Sequence, residues 1–400
     1  MLGLVQNWFG PRVNPIGVDF GTDCLRLAQV QWVETDWRLI AAASAEVPAN
    51  IRRDEPARWN FFAQSMRDLL ISGKFHGRTV MLGLPAAGMF IQHLRLAKMD
   101  DAEFARALPW EARGKIPLDP AQAVLRHLMA GEVYVDQEPR NEVILLAAHK
   151  KTVEQLLAAS AKARLDVVGM NVEPTAILDC FTQVYRRSSD AEITNFFVDI
   201  GAAGTRAVIT RGREILFARV VNIGGDQFTA AVAEQFAFSA SEARALRITM
   251  AAPQPVADRN AITQAPPADE SDSPRKRMEE AMAPLIAKLV EELDLCRRYY
   301  EATFPARPAD RLVFIGGESR HRWLCQRVAQ GLGLAAQLGD PLCRMSKRCD
   351  AGIESGIDRR QPQPSWAVAI GLSMGSPSDE QLAAAAERGA AYSRSTNERA

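Results

Sequence analysis

The sequence predicts an α/β fold of two lobes facing each other across a cleft, with a small α/β unit inserted in the first lobe. Three observations predict it. A buried strand that ends in Asp19-x-Gly21 returns 180 residues later (199 − 19) as a strand that ends in Asp199-x-Gly201. A third buried strand ends in Gly316-Gly317. A chain of 400 residues is long for one core, so two lobes are the natural arrangement.

The elements follow in order. Ile16–Phe20 reads as a strand closed by Gly21-Thr22-Asp23, and Cys24–Val33 then makes a hairpin with it. Trp37–Glu46 is a third strand; Trp59–Ile71 is a helix with Phe62, Met66, Leu69 and Leu70 on one side; Thr79–Leu84 is a strand. The inserted unit spans about 86–165. Met89–Leu96 alternates as a strand, and Asp100-x-x-Glu103 opens a helix through Arg113. Val124–Met129 and Glu142–His149 are strands, and Thr152-x-x-Gln155 caps a helix over Val153–Arg164.

Phe196–Ile200 starts the second lobe, followed by strands Thr205–Thr210 and Glu214–Asn222. Helices follow Gly224-Gly225 and the Ser239-x-x-Glu242 cap. Residues 251–276 are rich in Ala, Pro, Asp and Ser and read as a flexible surface insertion. Met278–Tyr300 is a long amphipathic helix that Pro284 kinks or delays. Arg311–Ile315 is a strand, His321–Gly331 a helix and Trp366–Met374 a last apolar helix. The division is thus a segment 1–15, a first lobe 16–195, a second lobe 196–374 and a loose tail 375–400.

Composition excludes several classes. Lys plus Arg and Asp plus Glu both number 48, so the chain lacks the basic excess of a general nucleic-acid binder. The six cysteines include no Cys-x-x-Cys pair, which fits a reducing compartment rather than a disulfide framework. Cys343 and Cys349 read as ordinary loop thiols, and the histidines show no metal-ligand spacing. The N-terminus lacks the basic start and apolar length of a secretory signal, and no run of about 18 apolar residues is present. Leu2, Leu4, Val5, Trp8 and Phe9 form one apolar turn, for a partner or for the chain's own body.

An Asp at a strand end followed by x-Gly has a definite chemical use. Gly permits a tight turn with uncovered backbone N–H groups, which cradle phosphate oxygens together with the Thr22 hydroxyl. Asp19 and Asp199 are the acids that would hold Mg²⁺ through water. One such turn is a common hairpin; two, each opening a lobe, can grip phosphates from both sides. Gly201, Gly204 and Thr205 add donors on the second side, and Gly224-Gly225 places a helix N-terminus there. Gly316-Gly317-Glu318 offers a flat ring and a ribose a backbone without Cβ groups, with Glu318 accepting from hydroxyls. Glu242 either caps its helix or touches ligand, and Arg247 either reaches the ligand or stays solvated. Neither a Gly-x-x-x-x-Gly-Lys-[Ser/Thr] loop nor a nucleophile–base constellation is present, so no catalytic residue is assigned.

The order of these turns resembles the actin-like (ribonuclease H-like) superfold of actin, chaperone ATPases and sugar kinases. Narrower stretches resemble the type IV pilus assembly protein PilM family: Ile16–Ala28, Leu108–Pro117, Val167–Ala176, Phe217–Gly225, Ser241–Arg247, Phe314–Glu318, Asp340-Pro341 and Trp366–Leu372. The resemblance covers about 16–374. It implies ATP or ADP with Mg²⁺ in the cleft, gripped by Asp19, Gly21, Thr22 and Asp23 on one side and Asp199, Gly201, Gly204 and Thr205 on the other. It further implies a cytoplasmic protein, peripheral at the inner membrane, that binds the short cytoplasmic tail of a PilN-like assembly component. That tail would lie between the inserted unit and the first lobe; self-association stays open. Two departures stand out. Thr22, Asp23 and Cys24 replace Ser-rich residues, and Arg244 and Arg247 stand where the family has an acid and a Lys. They favour binding ATP over hydrolysing it, so weak ATPase activity stays an open expectation. A small-molecule kinase of the same superfold and a nucleotide-free scaffold remain as alternatives.

Overall fold

The computed structural model describes residues 13–34, 36–85, 88–251, 273–346, 353–354 and 356–375. Two five-stranded sheets dominate it. The first holds β1 (Ile16–Phe20), β2 (Cys24–Val33), β3 (Asp36–Glu46), β4 (Thr79–Gly83) and β8 (Asp166–Asn171) in the order β3-β2-β1-β4-β8. The second holds β9 (Thr194–Ile200), β10 (Thr205–Arg211), β11 (Glu214–Val221), β12 (Arg311–Ile315) and β13 (Ala335–Leu338) in the order β11-β10-β9-β12-β13. In both, the leading strand pairs antiparallel with its hairpin partner and parallel with the strand on its other side. The repeat seen in the two Asp-x-Gly turns is therefore a repeat of whole sheets.

Helix α1 (Glu55–Ser72) starts at Asp54, whose carboxylate accepts from the Ala57 N–H at 3.0 Å. It turns Phe62 and Met66 onto the first sheet, against Ile16, Val18 and Leu82. Two helices lie deep between the sheets. One is α4 (Glu173–Thr182); the other is α9 (Ala367–Met374), buried along its whole length. A helix apolar on every side belongs in such a position. The long α7 (Pro274–Thr303) buries Met278, Met282, Ile286, Leu289, Leu293, Cys296 and Tyr300 on the second lobe.

The inserted unit is a sheet of order β5-β7-β6, built from β5 (Met89–Ala97), β6 (Ala123–Val135) and β7 (Glu138–His149), with α2 (Asp101–Ala112) on one face. β7 alternates at the period of a strand. Val143, Leu145 and Ala147 face a small core with Phe104 and Leu108 of α2. Ile144, Leu146 and Ala148 join the main core. Glu142 shares the second face and is fully buried. It accepts from His93 Nδ1 at 2.9 Å, Arg95 Nε at 3.0 Å and the Tyr299 hydroxyl at 2.8 Å, so a β5–β7 pair is tied to α7.

Several expectations shift. Helix α3 (Lys150–Lys162) is capped by His149, the last residue of β7, so Thr152 lies inside the helix and not at its cap. Its Leu156 and Ala159 enter the first-lobe core, which leaves the inserted unit ending at β7. Helix α7 runs through Pro284 and already includes residues 274–276, because Ser273 caps it. Strands β8 and β13 and helix α4 were not anticipated as elements. Residues 1–12, 252–272 and 376–400 lie outside the described residues, and with them the apolar N-terminal turn, most of the insertion and the tail. Among the described residues no helix is long and apolar enough to cross a membrane.

Candidate functional site

The two Asp-x-Gly turns meet, and each brings an arginine with it. On β1 and β2, Asp19 stands directly opposite Arg26; on β9 and β10, Asp199 stands directly opposite Arg206. The arginines are themselves 180 positions apart (206 − 26), so the repeated unit is an Asp–Arg cross-strand pair and not the acid alone. Both turns close the same way, by a bond of 3.0 Å from the Gly21 N–H to the Cys24 carbonyl and another of 3.0 Å from Gly201 to Gly204. Arg58 of α1 holds the first turn from behind, donating to the Thr22 carbonyl at 2.8 Å and the Gly21 carbonyl at 3.0 Å.

Between the turns lies a narrow slot of about 50 Å³, lined by Asp19, Thr22, Arg26, Asp199, Gly201 and Arg206. Three further acids line it: Asp23, Glu318 and Glu173 at the start of α4. The Arg206 guanidinium donates to both Glu173 oxygens, at 2.7 and 2.5 Å, and its other nitrogen stands 3.7 Å from Asp199. Burial pushes the Asp19 carboxyl up to about 6, against the pull of Arg26 and Arg206. Burial also raises the Glu173 carboxyl despite the Arg206 guanidinium beside it. Neither Arg26, Arg206 nor Glu173 was singled out from sequence. The arginines were legible as the continuation of the 180-residue repeat; Glu173 carried no comparable signal.

A divalent cation held between Asp19 and Asp199, as expected from the sequence, does not fit this donor set. Both acids line the slot, but Asp199 already has a counter-charge in the Arg206 guanidinium, which is held by Glu173 and stands 3.7 Å away. The described residues contain no group of three or more His, Cys, Asp or Glu side chains that could hold a metal ion.

The slot opens toward a larger cavity of about 420 Å³, with Asp23, Arg26, Arg247, Gly317, Glu318 and His321 in its walls. Gly317 and Glu318 line both spaces, and Gly316 before them lines the slot. The φ of Gly316 is +89°, and a Cβ there would stand 2.3 Å from an Asp199 carboxylate oxygen, so only glycine fits. Arg247, on α6 (Ala240–Met250), is buried rather than solvated. It donates to the Gly225 carbonyl at 3.0 Å and the Thr229 hydroxyl at 2.8 Å, and pairs with Glu318. Its Nε is buried without a hydrogen-bond partner. Such an orphaned donor in a cavity wall calls for an acceptor that the protein does not supply. His321 is pushed down to about 3 by burial and by the neighbouring Arg247 and Arg320.

Several expected site residues serve the frame instead. Glu242 accepts from the Ser239 N–H at 2.8 Å and the Ser239 hydroxyl at 2.6 Å, so it is the cap and is exposed. The Thr205 hydroxyl donates to the Ile223 carbonyl at 2.7 Å, fully buried. The Gly201 N–H is spent on the Gly204 carbonyl, which closes the second turn. The N–H of Gly224 donates to its own helix's Gln227 at 3.1 Å, and that of Gly225 to the Gly201 carbonyl at 2.9 Å. The start of α5 (Gly225–Phe236) is thus stapled to the second turn, and these two amides are not offered to an anion.

The model of the family described as type IV pilus assembly protein PilM matches residues 17–259, more than half of the chain. This chain belongs to that family. The solved "PilM-PilN type IV pilus biogenesis complex" aligns at a TM-score of 0.72 and 24% identity, covering 91% of this chain and 98% of that one. The ethanolamine utilization protein EutJ from Carboxydothermus hydrogenoformans aligns at 0.52 and 13% identity, covering 91% of this chain and 90% of that one. No curated protein sequence matches the chain. The fold is the actin-like one that the paired turns predict. Within this PilM-family chain the two departures noted in sequence turn out to be one feature: Arg244 donates to Asp23 at 3.0 Å, from α6 of the second lobe to the first turn of the first. Arg52 and Asp226 make a second link between the lobes at 3.6 Å.

Proposed function

We propose that this protein is a nucleotide-binding component of a type IV pilus assembly machinery. In this reading a nucleoside di- or triphosphate, ATP or ADP, lies along the cleft. Its phosphates enter the slot between the Asp19 and Asp199 turns, and its base and ribose occupy the adjoining cavity. The observation that carries the reading is the duplicated Asp–Arg turn facing itself across a cleft that opens into the Arg247–Glu318 cavity. The buried, unpartnered Nε of Arg247 supports it. Nucleotide would act as a brace between the lobes, since both turns and α6 contact the same space. Family membership supports a partner of the PilN kind, whose short cytoplasmic tail would dock beside the inserted unit. The protein would then work in the cytoplasm, at the inner-membrane surface.

Two measurements test this. Calorimetry should show ATP binding to the full chain and weaker binding in Asp199→Ala; unchanged affinity in that variant, with the fold intact by circular dichroism, refutes the cleft assignment. The chain, used as bait on detergent-solubilised cell membranes, should retain an inner-membrane protein with a short cytoplasmic tail. A synthetic peptide of that tail should then compete it off, and failure to compete refutes the partner reading.

A further inference from the structure

Arg206 has a geometry unlike that of a surface arginine at a cleft. Its guanidinium is gripped on one edge by both oxygens of the buried Glu173, at 2.7 and 2.5 Å. That bidentate grip fixes its plane and aims the remaining nitrogen into the slot. There it stands 3.7 Å from Asp199 and 3.5 Å from the Gly204 carbonyl. A Cβ on Gly201 would come within 2.4 Å of it, so the second turn is moulded around this nitrogen. Arg26 occupies the matching place on the first turn, opposite Asp19. The slot therefore presents the Arg206 guanidinium, fixed by Glu173, and the Arg26 side chain among five acids, Asp19, Asp23, Glu173, Asp199 and Glu318, with room for little else at about 50 Å³.

A divalent cation brought here would meet Arg206, tethered to Glu173 beside Asp199, and Asp23 and Glu318 already paired with Arg244 and Arg247, with Arg26 standing opposite Asp19. A phosphate oxygen would meet hydrogen-bond donors held at the place where a bridging cation would otherwise sit. We infer that this chain holds the nucleotide's phosphates through Arg206 and Arg26 directly, without a divalent cation. The inference rests on the nucleotide reading above. Asp199 and Glu173 act on the ligand only through Arg206, as positioning residues that keep its guanidinium aimed.

The test is ATP titration by calorimetry of the full-length chain, once in EDTA and once in excess Mg²⁺, with wild type, Arg206→Ala and Arg206→Lys. The wild type should bind in EDTA, with an affinity within about threefold of that in Mg²⁺, a difference well below one charged hydrogen bond. Arg206→Ala should lose about tenfold or more in EDTA, the effect of one charge-assisted contact. In Mg²⁺ it should recover, because Asp199 and Glu173 are freed to accept the cation. Arg206→Lys should fall between, keeping the charge but not the fork. If wild type binds only with Mg²⁺, the inference is overturned while the nucleotide reading stands. If it binds in neither condition, both fall. Should Arg206→Ala fail to fold because two buried acids lose their partner, the wild-type comparison decides alone.

Discussion

Replacing Glu142 should loosen the inserted unit from the second lobe more than any other single polar change there. The carboxylate is fully buried and accepts three hydrogen bonds, from His93, Arg95 and Tyr299. His93 extends the link to β11, its Nε2 lying 3.2 Å from the Ala218 carbonyl and its ring stacked 4.7 Å from Phe217. Glu142→Gln keeps the shape but turns charge-assisted bonds into neutral ones and puts an amide N–H₂ against donors. At about 1 kcal/mol lost per bond, the total is about 3 kcal/mol. Glu142→Ala, which leaves Arg95 without its counter-charge and His93 and Tyr299 without their acceptor, should cost about 3–5 kcal/mol. Urea unfolding of the full chain reads both, and hydrogen exchange should show faster opening of β5, β6 and β7 before the two large sheets. Burial pushes the Glu142 carboxyl up, but hydrogen bonds from His93, Tyr299 and Arg95 outweigh it and hold it below the usual carboxylate range. Its contribution is therefore complete above the unfolded value and fades as pH falls through the native one. A loss under about 1 kcal/mol in both variants, the scale of an exposed ion pair, would refute the argument that this cluster joins the unit to the second lobe.

Three other outcomes are expected. His321, pushed down to about 3, should make the wild type lose stability as pH drops below its unfolded value near 6.5, by up to about 1.4 kcal/mol per pH unit; His321→Gln should flatten that part of the thermal-stability profile. Gly371→Ala should cost well over about 2 kcal/mol, because its Cβ would stand 1.8 Å from the Ala176 carbonyl where α9 crosses α4, and backbone cannot yield as a side chain does; a melting temperature within a degree of wild type would contradict this. Arg244→Asp should weaken the closed cleft by about 1 kcal/mol, given that both partners of the Asp23 link are partly exposed, and the swap Asp23→Arg with Arg244→Asp should restore it, measured by denaturant midpoint.

The sequence by itself determined the elements whose causes are local. Asp100 and Ser239 cap helices because each accepts from a backbone N–H a few residues on, and that pattern is written in a few adjacent letters. The Asp-x-Gly turns and their 180-residue repeat were legible for the same reason, and so was the two-lobed fold they imply. Strand β8 was harder to see because its six residues are too few to separate from a linker, and α4 because its ten residues give the polar side of Thr175, Asp179 and Thr182 less than three turns to repeat. Thr152 misled as a cap because the chain leaves β7 straight into α3.

Only the tertiary structure decided which charges answer which. Arg206 finds Glu173 33 positions away, and Asp23 finds Arg244 221 positions away. Nothing in spacing predicts such pairs, because electrostatic compensation depends on distance and burial in space and not on separation along the chain. The sequence could therefore name two acids suited to a phosphate site. That Asp199 shares Arg206 with Glu173 became visible only when α4 was packed beside the second turn.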